Sequence, residues 1–269
     1  MPEFPCPNPI KVSVRVRSGT VEIVAEDRDT ASVSVEPFGD GQESHEAAGN
    51  TRIDLNGDEL IVDAPDASGW IFRRSARVRV AIRVPSDSTL ALTVTSADAT
   101  CLGRLAEAVV KASSGDVSIE EVTGDLSVEQ TSGDCSIRRV GGNASVASSS
   151  GDVRIGSVGG ETIVTAASGD VVIDEAAGSV SAKTASGDIR LRAIRSGTAN
   201  LNSTSGDVGV GVPAGTLVWL DLSTTSGKTT SDLTVTDSSP GEGGAQLTLQ
   251  VRTTSGDIEV RRVSQPANA

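Results

Sequence analysis

Six aspartates recur at near-constant intervals along the middle of the chain: Asp116, Asp134, Asp152, Asp170, Asp188 and Asp207. Five lie 18 residues apart and the sixth follows after 19. If the chain stacks on itself with this period, the carboxylates form a column with a rise of about 4.8 Å per step. At an effective dielectric near 20, neighbouring charges in such a column repel by roughly 3 kcal/mol. Bound cations could offset that, with Ca2+ the first candidate because it takes carboxylate and carbonyl oxygens. Hydrogen bonds from backbone N–H and seryl O–H groups could do the same. The second explanation suffices, and the GGxGxD pattern of calcium-binding rolls is absent. No cofactor is therefore expected.

A second group of reactive types is basic and aromatic: Trp70, Phe72, Arg73 and Arg74, followed by Arg77 and Arg79. Against a formal net charge of −13 this stretch is a local reversal. It is the candidate partner-binding surface, suited to an anionic partner or to the protein's own acidic repeats. Its plainer reading is a hydrophobic cap with a solvated arginine face.

Catalytic and metal chemistry find little support. His45 is the only histidine and sits among Glu43, Ser44 and Glu46 in a polar stretch. The glycine-flanked serines belong to repeated turns and not to a nucleophile elbow. Cys6, Cys101 and Cys135 are widely spaced with no CxxC, so a zinc site is not expected. Cys135 stands where other repeats carry Val or Ile, which makes it a small buried hydrophobe. A carbohydrate-active enzyme would need clustered carboxylates beside sugar-stacking rings, yet the repeats hold one aromatic, Trp219. Regular coils also build no pocket. No catalytic residue is assigned, and the protein is not expected to be an enzyme.

The elements that position these residues follow from the repeat. Ser-Gly-Asp recurs at Gly115, Gly133, Gly151, Gly169, Gly187, Gly206 and Gly256, with Gly227 followed by Lys228 instead of Asp. Further glycines fall midway between many of these, so glycine punctuates the chain about every nine residues. Between them the apolar residues alternate: Val117 and Ile119, Val153 and Ile155, Val171 and Ile173, Ile189 and Leu191. That period of two marks strands with one buried face, and glycine supplies the turns. Two strands and two turns per 18 residues describe one coil of a narrow all-β solenoid. A thin interior explains the aromatic content of only 2%. The alternative is a long antiparallel meander or sandwich with Ser-Gly-Asp as hairpin turns.

Residues 1–86 read as a β-rich cap or small sheet, 87–263 as the solenoid and 264–269 as a disordered tail. Lys11 to Arg17 and Arg77 to Val84 alternate as strands, and Asn56-Gly57-Asp58 is a hairpin signal. Glu36 to Gly49 reads as a polar loop, and Thr236 to Ala245 as a second loop that stretches one coil from 18 to 29 residues. The acidic balance argues against nucleic acid as a partner. No stretch approaches 18 apolar residues, so no transmembrane segment is expected, nor peripheral membrane contact. The N-terminal residues lack a secretory pattern, which gives a cytoplasmic expectation.

The serial Ser-Gly-Asp-[Val/Ile]-x-[Ile/Leu] units follow a strand-rich stretch with a Trp-containing, Arg-rich segment and Val84-Pro85. Together they resemble, over roughly residues 10–262, the bacterial β-strand-repeat "putative adhesin" family of unknown function. The resemblance implies a repetitive all-β fold and, for some relatives, a link with envelope-stress systems; it brings no catalytic residues. The functional expectation is a non-enzymatic binding or scaffold module, a rigid β-repeat rod that contacts a protein partner or self-assembles through its end coils. On that expectation a charge at Ile258, in the last coil of the sequence, should block assembly. The alternative is a surface adhesin or envelope-ligand binder.

Overall fold

The computed structural model describes residues 2–64, 76–233 and 246–263. The chain forms two compact units, Met1–Arg139 and Val140–Ala269. The expected boundary at residues 86 and 87 falls inside the first.

The first unit holds β1 (Glu3–Pro5), β2 (Lys11–Glu26), β3 (Thr30–Pro37), helix α1 (Gln42–Gly49), β4 (Arg52–Asn56), β5 (Glu59–Asp63), β6 (Val78–Pro85), β7 (Ser88–Ser114), β8 (Val117–Val122) and β9 (Leu126–Ser132), with β10 (Cys135–Val140) ending at the boundary. Coils begin earlier than the sequence period suggests. β2 is itself a whole coil, bent at Gly19, and it pairs in parallel with β7 from Lys11↔Thr89 to Ala25↔Gly103. Ser18 and Gly19 stand beside Ser96 and Ala97, the corner position of later coils. On its other side β2 pairs in parallel with β5 and β6. The first coil in the sequence therefore lies between the second and the third.

Antiparallel pairing closes this unit. β4 and β5 form the expected hairpin, with Gly57 at φ 64 in its turn. β3 pairs with β6, and β1 with β3. The stretch expected to be a loop is partly helical: α1 packs on β3 and β6 and buries Ser44 and Ala47. Its Gln, Glu and Ala residues are good helix formers, so two turns form once an apolar side has something to cover.

The second unit holds β11 (Ala144–Ser150), β12 (Val153–Val158), β13 (Thr162–Ser168), β14 (Val171–Ala176), β15 (Val180–Ser186), β16 (Ile189–Ile194), β17 (Gly197–Ser205), β18 (Val208–Pro213), β19 (Val218–Ser226), β20 (Thr229–Ser231), β21 (Leu247–Ser255) and β22 (Ile258–Val263). It is a parallel β-solenoid with two strands per coil. One sheet runs β12–β14–β16–β18, the other β11–β13–β15–β17. Val153, Val171 and Ile189 are register partners, 18 residues apart at each step. Parallel pairing excludes the meander, whose neighbouring strands would run in opposite directions.

The order of coils then departs from the order of the sequence. β17 pairs with β21 and β18 with β22, while β19 and β20 lie outside them. The 29-residue step from Gly227 to Gly256 does not stretch one coil, as expected above. It brings the chain back so that its last coil fits between two earlier ones. Ile258 is consequently buried in the middle of a ladder, and the outermost coil is β19–β20.

Inward columns of Val, Ile, Leu and Ala fill the space between the sheets, with Val171, Ile173, Ile189 and Leu191 fully buried. Branched aliphatic chains suit such a pleated, thin interior. Cys101 and Cys135 occupy the same kind of position, both buried, as expected for Cys135. One further inward column is polar. Ser203, Thr253 and Thr224 each donate a hydroxyl to the corner carbonyl of the neighbouring coil, at Gly187 (3.1 Å), Gly206 (3.2 Å) and Gly256 (3.0 Å). Gln130 donates to Gly115 in the same way, at 2.8 Å.

Candidate functional site

The aspartate column exists, and its oxygens are engaged. In the first unit Asp98 Oδ1 accepts the Asp116 N–H at 3.1 Å, and Asp116 Oδ1 accepts the Asp134 N–H at 2.9 Å. In the second unit the chain of bonds runs from Asp152 to Asp170 (3.0 Å), Asp188 (2.9 Å), Asp207 (2.8 Å) and Asp257 (2.7 Å). It ends at Lys228, whose N–H is held by Asp257 Oδ1 at 2.7 Å. Each carboxylate thus satisfies a turn N–H of the next coil. The corner demands this, because a turn residue leaves its N–H outside the strand ladder.

At three of the aspartates the second oxygen meets arginine. Arg190 bridges Asp170 Oδ2 (3.3 Å) and Asp188 Oδ2 (2.6 Å), and Arg154 reaches Asp152 Oδ2 at 2.9 Å. Guanidinium groups between carboxylates supply the opposite charge that the stacked column calls for. Among the described residues no group of three or more His, Cys, Asp or Glu side chains is placed to hold a metal ion. At Asp152, Asp170 and Asp188, Oδ1 is committed to an N–H group and Oδ2 to arginine, an arrangement that does not fit a calcium site.

Of the basic–aromatic candidates, Trp70, Phe72, Arg73 and Arg74 lie outside the described residues. Arg77, just before β6, and Arg79, within it, both lie over the ring of Phe38, at 4.2 and 5.4 Å from its centroid. Phe38 reaches them because its N–H bonds the Arg77 carbonyl at 2.8 Å, extending the β3–β6 pairing past Pro37. Ser44 Oγ accepts the Arg77 N–H at 3.2 Å, which ties α1 to the start of β6. His45 Nδ1 lies 3.1 Å from the Gly41 carbonyl. These two residues serve the helix and its docking, and Phe38 is the partner of the arginines that alternation alone does not reveal.

Cross-coil ion pairs on the outer faces of the first unit include Glu120–Arg138 and Asp87–Arg104. Glu120 Oε2 accepts the Gly103 N–H at 2.7 Å and Oε1 meets Arg138 at 2.8 Å; first the N–H bond and then the guanidinium hold its carboxyl below the usual range. Arg104 pairs with Asp87 through two bonds, at 2.8 and 2.7 Å, and lowers its pKa. Asp87 has φ 63, in a region that Asp tolerates better than most residues.

Among the described residues, the least covered large apolar side chains belong to the outermost coil of the second unit. Leu217 is 60% exposed and Trp219 48%. Trp219 was the one ring the repeats held, but nothing in its spacing showed that its coil would be outermost.

No helix among the described residues is long and apolar enough to cross a membrane. No curated protein matches the chain. Solved structures similar to it include the following three. A putative adhesin from Bacteroides fragilis is 10% identical, with 97% of this chain and 95% of that one covered at a TM-score of 0.42. A putative adhesin from Parabacteroides merdae is 12% identical at the same coverage and TM-score. A protein from Parabacteroides distasonis described as a putative lipid binding protein is also 12% identical, again with 97% and 95% covered at 0.42. Likenesses this distant say nothing of what this chain binds. The family model reaches nearly the whole sequence, matching residues 10–261, and the chain belongs to the Toastrack DUF4097 family.

Proposed function

We propose that this chain is a non-enzymatic binding or scaffold module, a rigid β-repeat platform whose faces contact a protein partner. The observation that supports this best is the double locking of the corners. A carboxylate holds each turn from outside, and at several coils a hydroxyl or amide holds it from inside. Outward side chains then stand in fixed rows, and a surface already fixed loses little freedom when a partner covers it. Catalysis would need a nucleophile, a base and donors converging on one reacting atom. Here Ser44, His45 and the turn aspartates are each engaged with backbone or arginine. A cytoplasmic location and a link with envelope stress are part of the same proposal, and fractionation of native cells checks the first.

The test places a photo-crosslinking residue at Lys183 on one sheet and at Arg154 on the other, in the full chain expressed in its own cells. A discrete protein adduct, suppressed by excess unmodified chain, is the expected result. Absence of any adduct from both faces, or turnover of a polysaccharide by the purified chain, overturns the reading.

A further inference from the structure

We infer that the outermost coil of the second unit is a self-association edge, where two copies of this chain meet about a two-fold axis. This deepens the binding-module reading by naming a second copy as an occupant. β19 pairs with β21 and β20 with β22; among the described residues neither has a ladder partner on its other side. The inward columns show the same opening. Leu220 and Leu222 stand beside Leu249 and Val251, which are 0% exposed, yet they are themselves only half-buried. Leu217 and Trp219 add exposed apolar surface at the rim.

An open strand edge of this kind pairs with another chain unless charge, proline or a covering element guards it. The first unit has such a cover: β4 lies on β5, β3 on β6, and α1 packs over β3 and β6. The β19–β20 coil has no equivalent among the described residues.

The missing layer must satisfy strands of both sheets at once and bring apolar side chains over the Leu220 and Leu222 columns. An added single strand would serve one sheet only. The coil itself offers what it lacks, so a second copy turned by a two-fold covers both edges in one contact, and such a contact closes as a dimer. Charge favours this place over others. The chain carries −13 overall, which sets most of its surface against a second copy. At this edge Asp221 is held by Arg252 at 2.7 Å, Lys228 replaces the usual corner aspartate, and Asp232 accepts the Arg262 N–H at 2.7 Å. The charges of Asp221, Arg252, Lys228 and Asp232 cancel. The β4–β5 hairpin at the covered end of the first unit carries Asp54, Asp58, Glu59 and Asp63 against Arg52, an acidic surface that would repel its own copy.

The experiment is sedimentation velocity on the full chain from about 1 μM to about 100 μM, a range in which a modest interface dissociates. The expected result is a monomer–dimer equilibrium. Replacing Leu217→Lys and Trp219→Lys together sets like charges against each other across the two-fold and should weaken dimerisation at least about a hundredfold. Ile163→Lys, on another exposed apolar residue, in β13, should leave it unchanged. Circular dichroism establishes that both variants fold. Amide exchange within residues 218–226 should slow as concentration rises. A monomer at every concentration, a dimer indifferent to the double variant, or assembly that grows without closing overturns the inference. A monomer with crosslinks still forming at Lys183 or Arg154 would sink this edge and leave the binding module standing.

Discussion

Replacing Asp188 separates the two roles its carboxylate can play. Oδ1 accepts the Asp207 N–H at 2.8 Å and Oδ2 meets Arg190 at 2.6 Å. Asp188→Ala leaves that N–H without its acceptor, a loss of about 1 kcal/mol where water can partly replace it. It also removes an ion pair whose arginine is half exposed, worth up to about 1 kcal/mol and less in salt. Arg190 keeps Asp170 at 3.3 Å, so the pair is not lost outright. The sum is about 1–2 kcal/mol, or a fall in Tm of roughly 3–6 °C for a chain of this size. Asp188→Asn keeps an oxygen in the same place, loses the ion pair and relieves repulsion along the column. Its net effect should lie within about 0.5 kcal/mol of zero. Thermal melting and urea denaturation of the three proteins, with millimolar Ca2+ and with EDTA, make the comparison. If Asn harms the protein as much as Ala, or Ca2+ raises the Tm of the parent chain alone, the charge holds a cation and the turn argument is wrong.

Gly169 has φ 119, and a Cβ there would lie 2.2 Å from the Gly151 carbonyl oxygen, whereas Gly57 (φ 64) faces open space. In equilibrium denaturation Gly169→Ala should cost more than about 3 kcal/mol and Gly57→Ala about 1; equal costs would remove the steric argument. Burial pushes the Cys101 and Cys135 thiols up to about 12 and raises Cys6 as well. A thiol reagent at pH 8 should leave the native chain unlabelled and find all three cysteines after unfolding; rapid native labelling would contradict the packing. For Glu120 the folded pKa lies below the unfolded one, so its stabilisation is complete above the ordinary carboxylate range and is lost as pH falls through the folded value. The stability gap between parent and Glu120→Gln should therefore shrink between about pH 5 and pH 3, and a gap that stays constant would refute the assignment.

The corner residues and inward columns were legible because each depends on local chemistry. A turn needs glycine, its loose N–H needs a carboxylate, and a half-buried strand alternates. The β2 coil was hidden because its corner reads Ser18-Gly19-Thr20, without the aspartate that marks the later coils. Thr20 needs no such carboxylate where β6 continues the ladder beside it. Helix α1 was hidden because eight residues with two buried side chains carry almost no periodic signal. Phe38 could not be assigned to Arg77 and Arg79 before the β3–β6 pairing brought them together.

Sequence alone determined the coil: its length, its glycine corners, its carboxylate column and an interior too thin for rings. Each of these is settled within about 18 residues by backbone geometry and side-chain period. Tertiary structure decided which coil lies beside which. Like coils offer nearly equal ladders and columns to any neighbour, so local pattern cannot rank one neighbour above another. Only the closing of the whole chain placed β2 between β5–β6 and β7, tucked β21–β22 inside β19–β20, and left Leu217 and Trp219 on an edge.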